Sequence, residues 1–261
     1  VSQGEQPGIF WPRLFENGQH INFAHRSFVW TNDARGIARV HCVIIGFSRR
    51  PDWTKELYSY TDGKGEPILE LVPSISPYLI PGDEYVVSNR RVQISGAPPM
   101  SFGNMAADGG HLLLTRAERD EMVATNPATE EWILPFMGAQ EFINRTERFC
   151  LWLDGITAGQ LRSMPEIYER VSEVRRVREQ SARPHLAEIP HLFAQITQRP
   201  EHSFLLIPRV SSERRHYVPM GFFDGGVVAS DACLTIQDAT LFDFGVLTSQ
   251  MHMDWLRTVG G

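Results

Sequence analysis

Residues 20–47 read HINFAHRSFVWTNDARGIARVHCVIIGF, and two strands are written into that stretch. From His20 to Trp30 the alternation is that of a half-buried strand, whereas Ala38 to Phe47 carries the continuous apolar run VHCVIIGF, of the sort buried on both faces of a sheet. TNDARG between them is turn-like, which predicts an antiparallel hairpin. The first strand ends on Phe28 and Trp30, and alternation puts those two rings on one face with Val29 on the other. Exposed, they make a stacking platform; packed against the sheet edge, they are part of the core. The residues alone leave both readings open.

Upstream, Ile9, Phe10, Trp11, Leu14 and Phe15, with Pro12 near the first turn and Gly18 as the stop, predict a short helix over Gly8–Glu16. Downstream, the Pro, Gly and charge of Arg49 to Pro81 read as a loop or linker. Short strands follow at EYVVSN (84–89) and RRVQISG (90–96), then at AADGGHLLLT (106–115), where Asp108-Gly109 suits a tight hairpin turn. Thr115 with Glu118 forms a capping-box pattern opening a helix to Ala124. A helical stretch over Thr129–Phe136 and a strand hairpin in FINRTERFCLWL (142–153) come next. The longest helix is expected over Ser163–Ser181, N-capped by Ser163, with Ile167, Val171, Val174 and Val177 on its apolar face. Beyond Pro190 the pattern predicts a short helix, strands in 202–223, in GVVASDACLTI (226–236) and in ATLFDFGVL (239–247), and an amphipathic helix over Thr248–Val259.

The chain's 261 residues can bury roughly three-quarters of the unfolded surface, enough for one large domain or two smaller ones. Its longest apolar runs fall far short of the ~20 residues that span a bilayer. Cys42, Cys150 and Cys233 each sit inside an apolar run without a partner at metal or redox spacing, so they read as buried thiols suited to a reducing cytoplasm. The start, VSQGEQPGIFW, has neither Met nor a signal-peptide pattern, and RTVGG breaks off just after a helical pattern; both point to a fragment.

The net charge of −6 argues against a nucleic-acid partner only when averaged over the surface. Of the 25 basic residues only Lys55 and Lys64 are Lys, and residues 162–215 hold ten Arg against seven Glu, which leaves −9 for the rest. Arginine suits bidentate contact with phosphate or a guanine edge. Arg175, Arg176 and Arg178 lie off the helix's apolar stripe, as a solvated face or as phosphate contacts, and Arg209 is a further phosphate candidate. In the outward-facing SSERR run, Ser212, Glu213, Arg214 and Arg215 are candidates for reading bases. Arg can take guanine O6 and N7 together and Glu can accept from cytosine N4, although a surface ion pair has the same sequence. Hydrolase, Walker and dinucleotide motifs are absent, and the scattered histidines show no metal-ligand spacing. His41 reads as a core residue. Asp108 and His111 read as a turn, with an active-site turn as the alternative.

SQGEQ (2–6), INFAHRSFVWTNDARGIARVHCVIIGF (21–47), GNMAADGGHLLLT (103–115), EFINRTERFCLWL (141–153), IPRVSSERRHYVPMGF (207–222) and FGVLTSQMHMDWLR (244–257) together resemble the DNA adenine-N6 methyltransferases of the MmeI-like restriction–modification family. The resemblance covers nearly the whole chain. It implies that the S-adenosylmethionine glycine motif and the NPP(Y/F) catalytic motif lie upstream of SQGEQ, and neither occurs here. The implied fold is α/β, the edge of a Rossmann-like methyltransferase sheet over residues 1–70. A mixed α+β target-recognition domain follows over 71–245, then a closing helix over 246–261 that leads to a missing part. The implied partner is double-stranded DNA, together with the rest of the parent chain and a possible nuclease domain. The parent would use S-adenosylmethionine, and this piece alone is expected to bind no cofactor and to be inactive. An enzyme that flips adenine needs an aromatic surface to receive the base, and Trp30, with Phe28 as second choice, falls where the resemblance would put it. A non-catalytic DNA specificity module and a protein-interaction scaffold are the alternatives. Salt-dependent DNA binding separates the scaffold from both DNA readers.

Overall fold

Pro7 stands in the first turn of α1 (Gln6–Glu16), where a missing N–H removes no helical bond. Trp11 on the same helix is 1% exposed and donates its indole N–H to the Val1 carbonyl at 3.0 Å. The helix packs its buried side on a four-stranded sheet in the order β2-β1-β3-β4, formed by β1 (His20–Trp30), β2 (Val40–Ser48), β3 (Lys55–Thr61) and β4 (Lys64–Val72). The computed structural model describes residues 1–30, 40–61, 63–90, 92–93, 95–212 and 215–260, so the TNDARG turn lies outside the described residues. β1 and β2 pair antiparallel from His20 opposite Ser48 to Trp30 opposite Val40, as expected. β3 runs parallel to β1 and forms a hairpin with β4.

That hairpin corrects the reading of residues 49–81 as a linker. In KELYSYT, Leu57 is fully buried beside Ile21, Ala24 and Trp11, while Tyr58 and Tyr60 take the other face. The strand alternation outweighs the surrounding Pro, Gly and charge. A second correction concerns β2, which stands at the end of the strand order with Val40, Ile44 and Phe47 exposed. His41 is exposed and Cys42 only half-buried, so neither is a core residue. An apolar run records what can be buried, not what lies beside it.

The chain forms two compact units, residues 1–94 with 250–261, and residues 95–249. These limits differ from the sequence division at 70 and 245 because backbone contacts continue past β4: the loop after it supplies Ile75 and Leu79 to the first core. The final helix joins the same unit, where Gly4 N–H donates to the Val259 carbonyl at 2.9 Å.

In chain order the second unit carries β5 (Ser101–Phe102), β6 (Leu113–Leu114), α2 (Arg116–Thr125), β7 (Ile133–Met137), α3 (Ala139–Asn144), β8 (Phe149–Leu151), α4 (Ala158–Ser163) and α5 (Pro165–Glu179). β9 (Phe204–Pro208), β10 (Gly221–Phe223), β11 (Val228–Ala229), β12 (Cys233–Gln237) and α6 (Leu241–Leu247) complete it, and α7 (Gln250–Val259) returns to the first unit. Two four-stranded sheets result, β10-β9-β12-β5 and β11-β7-β8-β6. The larger core gathers Leu112, Leu114, Phe136, Leu151 and Leu153 against Ile167, Val171 and Val174 of α5.

Local chemistry accounts for the elements that differ from expectation. The expected single helix over 163–181 is two, because a residue before proline avoids helical backbone: Met164 sits at φ −121°, ψ 80°, and Pro165 opens α5. Ser163 ends α4, its hydroxyl donating to the Gln160 carbonyl. The stretch 129–136 is a 3₁₀ turn running into β7, since Pro135 could not continue a helix. FINRTERFCLWL contains the end of α3 before β8, and its helix stops at Arg145 in the left-handed region, φ 56°. ATLFDFGVL is α6, opened by the Thr240–Asp243 capping box. The stretch after Pro190 forms no helix, whereas the 3₁₀ helix Pro184–Glu188 precedes it. Among the described residues of 84–96 there is no strand. The box at Thr115–Glu118 forms as read, and hydrogen bonds from the Thr115 N–H and hydroxyl, with one from Arg170, hold the Glu118 carboxyl down at about 2.

Candidate nucleic-acid interface

Two surfaces, one on each unit, carry the sequence candidates. On the first, the end of β1 is pinned: Val29 N–H donates to the Gly63 carbonyl at 2.8 Å. Trp30 beyond it is 57% exposed, and its ring lies 6.3 Å from that of the half-buried Phe28. Phe28 is also 5.1 Å from Tyr60 of β3. Tyr60 shares a 2.7 Å hydrogen bond with His25 Nδ1, and His25 stacks on Tyr58 with rings 4.3 Å apart and 6° from parallel. The register shift between His25 and Phe28 is what lets residues three apart join one row. With Phe23, whose exposed ring lies 6.3 Å from His25, the platform is a row of six rings on one sheet face among the described residues, of which the sequence reading found two. YSY in β3 was the available signal, hidden by the linker assignment. Burial pushes the His25 imidazole below its ordinary value and favours the neutral ring.

On the second unit the helix arginines separate. Arg175 and Arg176 are exposed, with Arg176 paired to Glu173 one turn back. Arg178 is 1% exposed, which overturns its expected place on a solvent face. Its Nε donates to the Ala107 carbonyl, Nη1 to Leu186 and Ile189, and Nη2 to Ala106 and Leu192, at 2.8–3.2 Å. A guanidinium has five N–H donors, and all five are used. Arg178 thus continues the stripe of Ile167, Val171 and Val174, while the expected Val177 is 36% exposed. Burial lowers its pKa and nearby Asp108 partly opposes that. Arg170 also turns inward, to the His111 and Leu113 carbonyls and to Glu118.

Asp108 is structural as well: its Oδ2 accepts from the Leu112 N–H at 2.6 Å, and Gly109 supplies the positive φ of 66° that the turn requires. The segment leads into β6, which pairs with β8 and not with the strand before it.

Arg209 leaves the end of β9 exposed, its guanidinium 4.7 Å from the Phe102 ring centroid. Ser212 and Arg215 lie exposed in the same connection, with Arg215 N–H donating to the Ser212 carbonyl at 3.0 Å. Glu213 and Arg214 lie outside the described residues. Phe102 was missed because it falls in a two-residue strand too short to leave a pattern.

Among the described residues no group of three His, Cys, Asp or Glu side chains could hold a metal, and no helix is long and apolar enough to cross a membrane. Burial raises the Cys150 thiol and pushes Cys233 up to about 12.

The chain resembles known proteins along its whole length. The family "MmeI, target recognition domain" matches residues 81–261, and "MmeI, DNA-methyltransferase domain" matches residues 1–59. DNA methyltransferase A of Bacillus subtilis (strain 168) is 39% identical over 264 residues, covering 100% of this chain and 29% of that protein. The Type IIL restriction-modification enzyme MmeI, solved in complex with DNA, superposes with a TM-score of 0.93 at 41% identity, over 100% of this chain and 35% of that one. The chain spans about a third of the length of these relatives.

Proposed function

Because the chain belongs to the MmeI target recognition domain family, with a stretch of the methyltransferase domain at its start, we propose that it is the DNA-reading portion of a site-specific DNA adenine-N6 methyltransferase acting in the bacterial cytoplasm. The observation that carries this reading is the whole-chain similarity to an enzyme solved with DNA bound. In the parent, S-adenosylmethionine supplies the methyl group, and the motifs that hold it and the NPP(Y/F) motif belong to the remainder of the protein.

This chain's own part is to grip the duplex, read it and receive the flipped base. Arg175, Arg176 and Arg209 are exposed cations suited to phosphates. Arg178 drops out of that set, since its donors are already taken. Ser212, Glu213, Arg214 and Arg215 are assigned to base edges, with the Glu–Arg combination suited to opposite members of one G·C pair. Trp30 stacks on the flipped adenine while Phe28 supports it from behind.

Methylome sequencing of cells expressing the full-length protein tests the reading. N6-methyladenine at one short motif is expected, and Glu213→Lys with Arg215→Asp should change one recognised base pair and leave the others. An unaltered motif in that variant refutes the base-reading assignment. Genomic DNA without N6-methyladenine would instead favour a specificity module lacking catalysis.

The isolated chain is expected to bind DNA weakly, with log K falling against log salt, and to bind no S-adenosylmethionine. Calorimetric titration checks both, and a micromolar cofactor affinity would contradict the second.

A further inference from the structure

We propose that Phe102 is a positioning residue for DNA binding: its ring holds the Arg209 guanidinium ready for a phosphodiester of the bound duplex. The inference rests on the DNA-reading function proposed above. Arg209 is anchored at its root, where its backbone N–H donates to the Ala232 carbonyl at 3.1 Å. Its guanidinium is held twice more, by the Phe102 face at 4.7 Å and by the Asp231 carbonyl, which accepts from Nη1 at 3.2 Å. Among the described residues no other acceptor takes its remaining donors. A guanidinium lying on a ring keeps its N–H edge free, and that edge matches the paired oxygens of a phosphate.

The ring's mounting is stiffer than a two-residue strand requires. Gly103 follows it, and a Cβ there would meet the Ser230 carbonyl oxygen at 2.2 Å, so the backbone passes where only glycine fits. Next comes Asn104, fully buried, whose Nδ2 donates to Gln198 Oε1 at 3.0 Å and whose Oδ1 accepts from the Thr197 and Gln198 N–H groups. Gln198 Oε1 also accepts from the Ala229 N–H. This buried amide network holds a strand whose one aromatic side chain is left 50% exposed. Half its surface stays open to solvent, and its face also carries the Arg209 guanidinium. Fixing the long Arg209 side chain before DNA arrives lowers the entropy lost on contact.

The test measures affinity of the full-length protein for a duplex carrying its site, by fluorescence anisotropy across a salt series. Arg209→Ala should weaken binding to all sequences alike and lower the salt slope by about 1. Phe102→Leu should weaken binding about two- to fivefold, the scale of an exposed cation–π contact, without changing the slope. It should have no effect in the Arg209→Ala background, and Phe102→Tyr should restore wild-type affinity. An equal loss with and without Arg209 would reduce Phe102 to packing and overturn the inference, as would wild-type affinity for Phe102→Leu. Should Phe102→Leu fail to fold, Arg209→Lys serves: it keeps the charge but loses the flat face, and its affinity should fall at constant slope, wild-type affinity again overturning the inference. An unchanged slope for Arg209→Ala removes the phosphate contact and the positioning role with it. Absence of salt-dependent binding in the wild-type protein would instead bring down the DNA-reading function itself.

Discussion

Arg178→Ala is expected to lower folding stability by about 3–5 kcal/mol, because it removes five charge-assisted hydrogen bonds and a filled volume from a buried site. The substitution removes a charged donor from five carbonyl oxygens; those of Ala106, Leu186 and Ile189 keep a backbone N–H, while those of Ala107 and Leu192 lose the donor given for them. Hydrogen bonds to a charged donor contribute about 1.5–3 kcal/mol each, and a buried acceptor left unmatched costs about 1–3 kcal/mol, partly recovered if water enters the cavity. Arg178→Met should fare little better, because it restores volume without donors. Arg175→Ala, three residues earlier on the exposed face, should change stability by no more than about 0.5 kcal/mol. Urea unfolding of the three variants beside the wild type checks this. Indistinguishable midpoints for Arg178→Ala and Arg175→Ala would contradict the structural role. A drop of about 1 in the salt slope of Arg178→Ala at unchanged stability would return the residue to the DNA-contacting set.

The second large effect is expected at Trp30. Adenine N6 is a poor nucleophile while its lone pair is conjugated with the ring, so methyl transfer needs the extruded base held flat. An aromatic face does this without fixing hydrogen bonds, and base–aromatic stacking is worth about 1–3 kcal/mol by alanine substitution. Trp30→Ala in the full-length protein should therefore reduce methylation roughly 10- to 100-fold while duplex binding persists. The geometry favours Trp30 over Phe28: it is 57% exposed, whereas Phe28 is half-buried and flanked by Trp30, Tyr60 and His25. Phe28→Leu should cost less activity and more stability. With 2-aminopurine at the target position, fluorescence on binding should differ between Trp30→Ala and wild type, and Trp30→Phe should recover most of the activity. Wild-type methylation by Trp30→Ala would end the stacking role. A fall in melting temperature that accounts for the lost activity would assign the ring to packing.

The sequence by itself determined the features that act over a few residues. Strand β1 over His20–Trp30 and its antiparallel partner follow from period-two alternation. The buried faces of Ile167, Val171 and Val174 follow from helical spacing, and the Thr115–Glu118 cap from two side chains three residues apart. Even the errors at Met164-Pro165 and Thr240–Asp243 concern signals present in the chain but given too little weight, a proline rule in one case and a cap in the other. What only the tertiary structure decided depends on groups distant along the chain. The Ala107 and Ala106 carbonyls that accept from Arg178 lie 71 and 72 residues before it. Helical spacing aligns that arginine with Ile167, Val171 and Val174, but only when the loops close are the acceptors gathered that replace its water and let a charged side chain be buried. The same holds for the aromatic row. Tyr60 meets His25 across 35 residues, because β3 inserts beside β1, and no periodicity within either strand specifies which strand will be its neighbour.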